Sequence, residues 1–195
     1  YKIGIALSSC DINHLEKLNC SLKSNYPIKT YEAAKSSYSN NNYSRLIYSS
    51  EIMFKDLLKY NFVEHKTNVL NPPKKELLNN FTSDFIRGYF DGNGSIAHTN
   101  TEKNNSYAFK LVSTKEFLDF VNNYIKENLG FSASKYYKRK DHQKVMSLEF
   151  VGNIKTQKIL DLLYKNANIY LDRKYKRYLD LCNLNNSRAL GKLKA

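Results

Sequence analysis

Hydrophobic residues recur along the first part of the chain with two different periods. Over residues 2–7 they alternate with small or polar residues, which predicts a strand. Over residues 12–24 and 51–60 they recur every three or four positions, which predicts amphipathic helices. Strand-forming residues at 28–34 and 44–48 flank a polar loop, which predicts a hairpin with a long tip. This part therefore has the order strand, helix, hairpin, helix.

A second part with a similar pattern follows Pro72 and Pro73, which mark the best internal boundary. A short helix is predicted over 76–81, and an apolar helix over 83–92 runs into the sequence Asp-Gly-Asn-Gly. The elements predicted after it are strands near 95–99 and 107–112, a helix over 115–129 stopped by Gly130, a hairpin of 135–139 and 144–151, and helices over 154–164 and 173–184. The basic tail after Asn185 is expected to fray.

The two parts are related as an internal repeat. Three short segments of the first part recur in the same order in the second, spaced 102 to 108 residues apart. We therefore predict an α+β fold of two copies, residues 1–72 and 73–195, with chance similarity of two α/β segments as the simpler alternative. The counterpart of the apolar helix would lie before Tyr1, so the first copy lacks its leading helix.

The charge of the chain points to a class of partner. Its 195 residues include 31 Lys and Arg against 18 Asp and Glu, a formal net charge of +13. This excess favours a polyanion bound through its phosphates, with a solvated basic surface as the simpler alternative. No apolar run approaches the roughly 18–20 residues of a membrane span, and no signal segment opens the chain. We expect a soluble intracellular protein, with organellar (mitochondrial), bacterial and phage origins equally open.

The cysteines and histidines give no pattern typical of a metal site. Cys10, Cys20 and Cys182 are odd in number and widely spaced among apolar residues, which predicts buried reduced thiols. The four histidines are equally scattered. A structural zinc site is therefore not expected.

The stretch over residues 85–96 has three interpretations. Its Asp-Gly-Asn-Gly sequence supplies the positive φ of a tight turn. Gly88 and Gly92 lie on one helix face at a cost of about 1 kcal/mol each relative to Ala, which indicates close approach of a second helix. Residues 91, 93, 95 and 102 match the ligand positions of an EF-hand, but Ile96 replaces the glycine that the calcium loop requires.

Residues 86–94, Ile-Arg-Gly-Tyr-Phe-Asp-Gly-Asn-Gly, resemble the nine-residue signature of the LAGLIDADG homing endonucleases, with Gly88, Asp91 and Gly94 at its most characteristic positions. The order of elements from residue 85 onward also resembles the family's unit, and the first copy resembles it from its second strand. The resemblance implies two αββαββα repeats related by a pseudo-twofold axis, which form a saddle of two four-stranded antiparallel sheets. It also implies a monomer that contains an internal pseudo-dimer.

The resemblance implies roles for several residues. In this family two motif helices pack through their glycines and meet DNA at their C-terminal ends, which assigns Gly88, Asp91 and Gly92 to a helix interface. The eighth motif position supplies a carboxylate that binds Mg²⁺ for phosphodiester hydrolysis. Lys66 and Lys174 would be the basic residues of the two halves and would lower the cost of the hydroxide or of transition-state charge, with plain phosphate anchoring as the alternative.

One residue departs from the family pattern, because Asn93 stands at the eighth motif position. Its amide oxygen can coordinate a hard cation but lacks the charge of a carboxylate, so Asn93 is a degenerate metal ligand and only a candidate catalytic residue. Asp91 does not replace it, since two residues along a helix turn the side chain by about 200°. The hypothesis is that this half binds DNA but is impaired in cleavage, through natural decay or engineered replacement.

The two sheets would lie along the major groove of duplex DNA and read base edges, while phosphate contacts fix the register. Met146, Leu148 and Phe150 alternate inward, so Ser147 is expected to point the other way. The candidate DNA-binding residues are Lys29, Tyr31, Lys35, Tyr43, Arg45, Lys103, Lys110, Lys135, Tyr137, Arg139, Gln143 and Ser147.

Two other hypotheses place the same basic saddle in a different setting. The first is a maturase-like or structural protein that binds intron or ribosomal RNA without cleavage, which the missing first motif and Asn93 both favour. The second is a DNA-binding domain within an intein or a larger protein. A comparison of binding to duplex DNA and to structured RNA would separate the first from the endonuclease hypothesis.

Overall fold

The computed structural model describes residues 1–33, 42–63, 68–101, 104–133, 136–139 and 142–193. The chain forms two compact units, one of Tyr1–Lys59 with Leu171–Arg173, and one of Tyr60–Tyr170 with the remainder of the C-terminal helix. Both units combine helices with antiparallel sheets, which confirms the predicted α+β class. None of the helices in the described ranges is long and apolar enough to cross a membrane.

The first unit is a three-stranded antiparallel sheet with helices. Its elements are β1 (Lys2–Ser8), α1 (Ile12–Ser21), β2 (Ile28–Tyr31), β3 (Tyr43–Ser49) and α2 (Glu51–Leu58). The sheet order is β1-β3-β2. Its small core consists of Ile3, Leu15, Leu46 and Tyr48, so one face of the sheet is covered while the opposite face carries the alternate positions.

The described residues of the first unit form three strands, which are the strand and the hairpin predicted from the hydrophobic pattern. The three cysteines are free, but Cys10 and Cys20 are exposed, so their expected burial is wrong. Cys20 lies on α1 five residues after Leu15, and this spacing turns it away from the side of the helix that enters the core.

The second unit is larger and contains a four-stranded antiparallel sheet of order β4-β5-β7-β6. Its elements are α3 (Lys75–Leu78), α4 (Thr82–Asn93), β4 (Gly94–Thr101), β5 (Asn104–Thr114), α5 (Lys115–Leu129), β6 (Tyr136–Arg139), β7 (His142–Val151), α6 (Asn153–Tyr164) and α7 (Asp172–Leu193). A 3₁₀ turn over Asn79–Phe81 joins α3 to α4. Helix α7 continues to Leu193, so the tail is helical well beyond the predicted end at residue 184.

The core of the second unit lies between one face of its sheet and helices α4, α5 and α6. Phe90 of α4 stacks on Phe109 of β5, with ring centroids 4.5 Å apart. Phe117 and Val121 of α5 and Ile159 of α6 are also fully buried. We call this side of the sheet its core face and the opposite side its outer face, and in the first unit the same names distinguish the side of Leu46 from its reverse.

The β6–β7 hairpin is fastened to α5 through Tyr136. The Tyr136 hydroxyl donates a hydrogen bond of 2.6 Å to Asp119 Oδ1, and Asn122 Nδ2 donates one of 3.3 Å to the same hydroxyl. Burial, followed by the hydrogen bond to Asp119, raises the pKa of the Tyr136 phenol to about 12. Because Tyr136 is held on the core face, its neighbour Tyr137 is directed to the outer face.

Candidate nucleic-acid interface and motif helix

Helix α4 carries the signature sequence and has one glycine-lined side. Ile86 and Phe90 are buried in the core, whereas Gly88 and Gly92 are exposed. A Cβ atom built on either glycine would meet no described atom within 4 Å. These two glycines therefore form an open strip on α4, which we call the glycine strip, and its packing against a second helix stays a prediction.

Asp91 lies on a different side of α4 from the glycine strip. Its side chain is buried, and Oδ1 accepts a hydrogen bond of 2.6 Å from the hydroxyl of Tyr164 in α6. The assignment of Asp91 to a helix interface with the two glycines stays a prediction. Its side chain points away from Gly92 because one residue of offset along a helix rotates a side chain by about 100°.

The C-terminal end of α4 is closed by a buried ammonium group. Lys174 of α7 is 3 % exposed, and its Nζ donates to the backbone oxygens of Phe90 (2.5 Å), Asp91 (2.8 Å) and Gly94 (2.5 Å). The same Nζ lies 4.9 Å from the centre of the Phe90 ring. These carbonyl oxygens include ones left without a partner at a helix end, where the helix dipole also favours a cation. Lys174 is therefore a charged C-terminal cap of the motif helix.

Glycine is required where α4 passes into β4. A Cβ on Gly94 would lie 2.1 Å from Phe90 Cδ2 and 2.8 Å from the Phe90 carbonyl oxygen, and real Cβ atoms do not approach this closely. The helix ends at Asn93 and the strand begins at the next residue, so no loop separates them. The last glycine of the signature therefore serves the tight connection between helix and strand.

The residues at this helix end do not form a strong divalent-metal site. Asn93 is exposed and offers a neutral oxygen, while the Asp91 carboxylate is turned inward to Tyr164. The Lys174 ammonium already lies against the carbonyl oxygens that would attract a cation. Within the described ranges no three His, Cys, Asp or Glu side chains are grouped as metal ligands. A hard cation such as Mg²⁺ prefers several charged oxygen ligands, which are not assembled here.

The outer face of the first unit's sheet carries four of the predicted DNA-binding residues. Lys29 is opposite Arg45 and Tyr31 is opposite Tyr43 in the β2–β3 pairing, so all four share one face. The rings of Tyr31 and Tyr43 stack with centroids 5.2 Å apart. The Arg45 guanidinium lies across Gly4, where an added Cβ would come within 3.3 Å of it. This face therefore combines two cations with an exposed aromatic pair.

The outer face of the second unit's sheet carries Lys110, Tyr137 and Ser147. Ser147 pairs with Tyr137 on one side, and its hydroxyl donates 3.2 Å to Glu149 Oε1, so it points away from Leu148 as predicted. Lys110 forms an ion pair with Glu149. Glu149 is not among the predicted DNA-binding residues, although its position two residues after Ser147 on the same strand indicates the same face.

Several predicted site residues, or their side chains, lie outside the described part of the chain. Lys35, Lys66, Lys103 and Lys135 lie outside the described residues, as do the side chains of Arg139 and Gln143. Their roles stay predictions. In the second unit the described candidate residues lie at the end of the motif helix, with Lys174, and on the outer face. In the first unit they lie on the outer face.

A family model described as a LAGLIDADG-like domain matches residues 80–182, which is more than half of the chain. The match includes α4, the complete four-stranded sheet and the start of α7 with Lys174. No curated protein sequence matches this chain.

Solved structures of similar fold are homing endonucleases. I-GzeII, solved in complex with its DNA target, has a TM-score of 0.64 and 13 % identity over 98 % of this chain and 81 % of its own. I-SmaMI bound to cleaved DNA has a TM-score of 0.58 and 14 % identity, covering 97 % and 80 %. I-LtrWI bound to target DNA has a TM-score of 0.58 and 11 % identity, also covering 97 % and 80 %. At these identities the likeness shows a shared fold.

Proposed function

The chain belongs to the LAGLIDADG family, and from this premise we propose that it binds duplex DNA at a specific sequence while its second motif is impaired in Mg²⁺-dependent cleavage. DNA as the partner is supported by the three similar endonucleases, each solved with bound DNA. It is supported as well by the net charge of +13, since Lys and Arg that neutralise phosphates supply most of the affinity for DNA.

The observation that carries this proposal is the composition of the two outer faces. Each face presents long polar or aromatic side chains, and each is opposite a packed core, so these side chains are supported by a rigid sheet. Strands placed in the major groove read base edges through such alternate positions, while flanking cations fix the position of the backbone. The cations on the first outer face include Lys29 and Arg45, and those on the second include Lys110.

Impaired cleavage is supported by the end of the motif helix. The carboxylate expected at the eighth motif position is replaced by Asn93, and the neighbouring carbonyl oxygens are held by Lys174. The role of Lys174 as a basic residue of the second half stays a prediction. Three hydrogen bonds hold the Lys174 ammonium in place. They favour a role for its fixed positive charge and not for proton transfer, because an ammonium held in this way is poorly placed to exchange protons.

The test is a binding competition between a randomised duplex DNA library and structured intron RNA, with two matched double variants. Lys29→Ala with Arg45→Ala removes two cations from the first outer face. Lys55→Ala with Lys59→Ala removes one cation from α2 and one from the residue after it, where they pair with Glu51 and Asp56. We expect the outer-face variant to lose affinity for duplex DNA and to lower the slope of log K against log salt by about 2.

The α2 variant is expected to retain both affinity and slope, apart from a small general charge effect. Equal losses in the two variants would contradict the assignment of the outer face. Preferential binding of the structured RNA, under conditions where duplex DNA is not retained, would replace the endonuclease proposal with the RNA-binding alternative.

A second prediction concerns the degenerate motif position. Asn93→Asp adds a carboxylate at the exposed end of α4 and is expected to confer Mg²⁺-dependent nicking of one strand in a plasmid that carries the selected site. Asn166→Asp, on an exposed loop of the same unit, makes the same chemical change away from the helix end and is expected to leave nicking at background. Absence of a gain in Asn93→Asp, with DNA binding retained, would contradict the hypothesis that Asn93 limits cleavage.

A further inference from the structure

We propose that Lys110 and Glu149 act as one recognition element that reads a single C·G base pair in the major groove. The proposal rests on the proposed function and adds to it a specific pair of residues and the base pair that they select. The positive net charge of the chain does not explain why a carboxylate lies on a face that is expected to meet DNA phosphates.

The two side chains form a fixed donor–acceptor pair. Lys110 of β5 and Glu149 of β7 are directly opposite in the strand register, and Lys110 Nζ lies 3.1 Å from Glu149 Oε2. The other carboxylate oxygen, Oε1, accepts the 3.2 Å hydrogen bond from the Ser147 hydroxyl. The pair is therefore held by two neighbouring strands, so its geometry is set before any ligand binds.

The pair is accessible from the outer face. The side chains of Lys110 and Glu149 are 37 % and 22 % exposed, which leaves each with polar surface for a further contact. The neighbours on the β4 side are small, since Ser95 lies opposite Lys110 and Ala97 lies opposite Ala108. A base edge can thus approach the pair without first displacing a larger side chain.

The chemistry of the pair matches one base pair in one orientation. Guanine presents acceptors at O6 and N7, for which lysine is a common partner, and cytosine presents a donor at N4, which glutamate accepts. Guanine O6 and cytosine N4 are joined by a Watson–Crick hydrogen bond of about 2.9 Å. The Lys110–Glu149 separation of 3.1 Å is nearly the same, so ammonium and carboxylate can each face their complement side by side.

The Glu149 carboxylate would also lower the affinity for other sequences. Glu149 repels phosphates and presents an acceptor to any base edge that lacks a donor, which penalises incorrect sequences. A thymine edge places its O4 acceptor and methyl group where cytosine places its N4 donor. Glu149 is therefore a specificity-determining residue, and Lys110 supplies the positive charge that makes its presence on this face tolerable.

The test exchanges the two residues. The double variant Lys110→Glu with Glu149→Lys preserves net charge and the cross-strand ion pair but reverses the order of donor and acceptor. Duplex DNA is selected from a randomised library by the wild type and by the variant, and the selected sequences are compared. We expect one C·G position of the wild-type site to become G·C, with the other positions unchanged.

A matched exchange elsewhere serves as the control. Glu51→Lys with Lys55→Glu reverses an exposed ion pair of 2.7 Å on α2, and it is expected to select the wild-type sequence. The single variant Glu149→Gln keeps the size of the side chain and is expected to reduce discrimination at the same position by about five- to hundred-fold. This variant gives the answer if the exchanged pair does not fold.

The outcomes separate this inference from the function on which it rests. If the wild type selects a defined sequence and neither the exchange nor Glu149→Gln changes the preference at any position, the recognition element is refuted and specific DNA binding stands. If the wild type selects no duplex sequence, the proposed function and the inference are refuted together. A change confined to overall affinity, with the sequence preference intact, would show a phosphate contact and also refute the inference.

Discussion

Replacing Lys174 with Met is expected to lower the free energy of unfolding by about 3–5 kcal/mol. Methionine fills a similar volume but carries no charge, so the carbonyl oxygens of Phe90, Asp91 and Gly94 would each lose the hydrogen bond from the ammonium. The Phe90 oxygen would keep its hydrogen bond from Gly94 N. The variant also loses the contact of the ammonium with the Phe90 ring. Chemical denaturation followed by circular dichroism measures the effect.

The matched control is Lys176→Met, two residues along α7 on its exposed side. It makes the same chemical change without removing a cap, and the expected difference is within about 0.5 kcal/mol of wild type. Similar losses in the two variants would contradict the assignment of Lys174 as a cap. If Lys174→Met kept full stability but lost cleavage in an Asn93→Asp background, a purely chemical role would be indicated.

Replacing Tyr164 with Phe is expected to cost about 2–3 kcal/mol. The Tyr164 hydroxyl donates to Asp91 Oδ1 inside the core of the second unit, so its removal deprives a buried carboxylate of a donor. A hydrogen bond to a charged group is worth more than a neutral one, so the loss of this donor is costly. Thermal and chemical unfolding both report this change.

Tyr178→Phe provides the comparison for this second prediction. Tyr178 donates 2.7 Å to Asp161 Oδ1 in the same aromatic cluster, but Asp161 is only partly buried and water can replace the lost donor. We expect a loss of about 1 kcal/mol. A loss in Tyr178→Phe equal to that in Tyr164→Phe would mean that the cost arises from the cluster and not from the buried carboxylate. In an Asp91→Asn background the effect of Tyr164→Phe should shrink.

The sequence predicts local features of the second unit well. Helix α5 was predicted over 115–129, which are its observed bounds, because both ends carry local signals. Thr114 caps the first turn by accepting a hydrogen bond from Phe117 N, and Gly130 adopts a φ of 76° just after the last turn. Such signals depend on a few neighbouring residues and can be recognised without knowledge of the fold.

Features that depend on contacts between distant elements could not be predicted in the same way. The alignment of the two copies placed Lys174 in the position of a basic residue, but its three acceptors lie about 80 residues earlier in the chain. Glu149 was recognisable as a strand residue, whereas its pairing with Lys110 depends on the register of β5 and β7. The partner of Asp91 is likewise distant, since Tyr164 lies 73 residues later in the chain.

Because α4 passes directly into β4, the glycine strip and the outer face of the second unit's sheet cannot move independently. Lys174 fastens the junction at Gly94, and Arg177 donates 2.7 Å to the carbonyl oxygen of Ile96 two residues later. A rotation of the helix about its axis would therefore reorient the strand as well, because no connecting residue can absorb it. The orientation of the glycine strip and that of Ser95 on the outer face can therefore change only together. The side chain at position 93 takes no part in these two contacts, so the linkage does not depend on whether an amide or a carboxylate stands there.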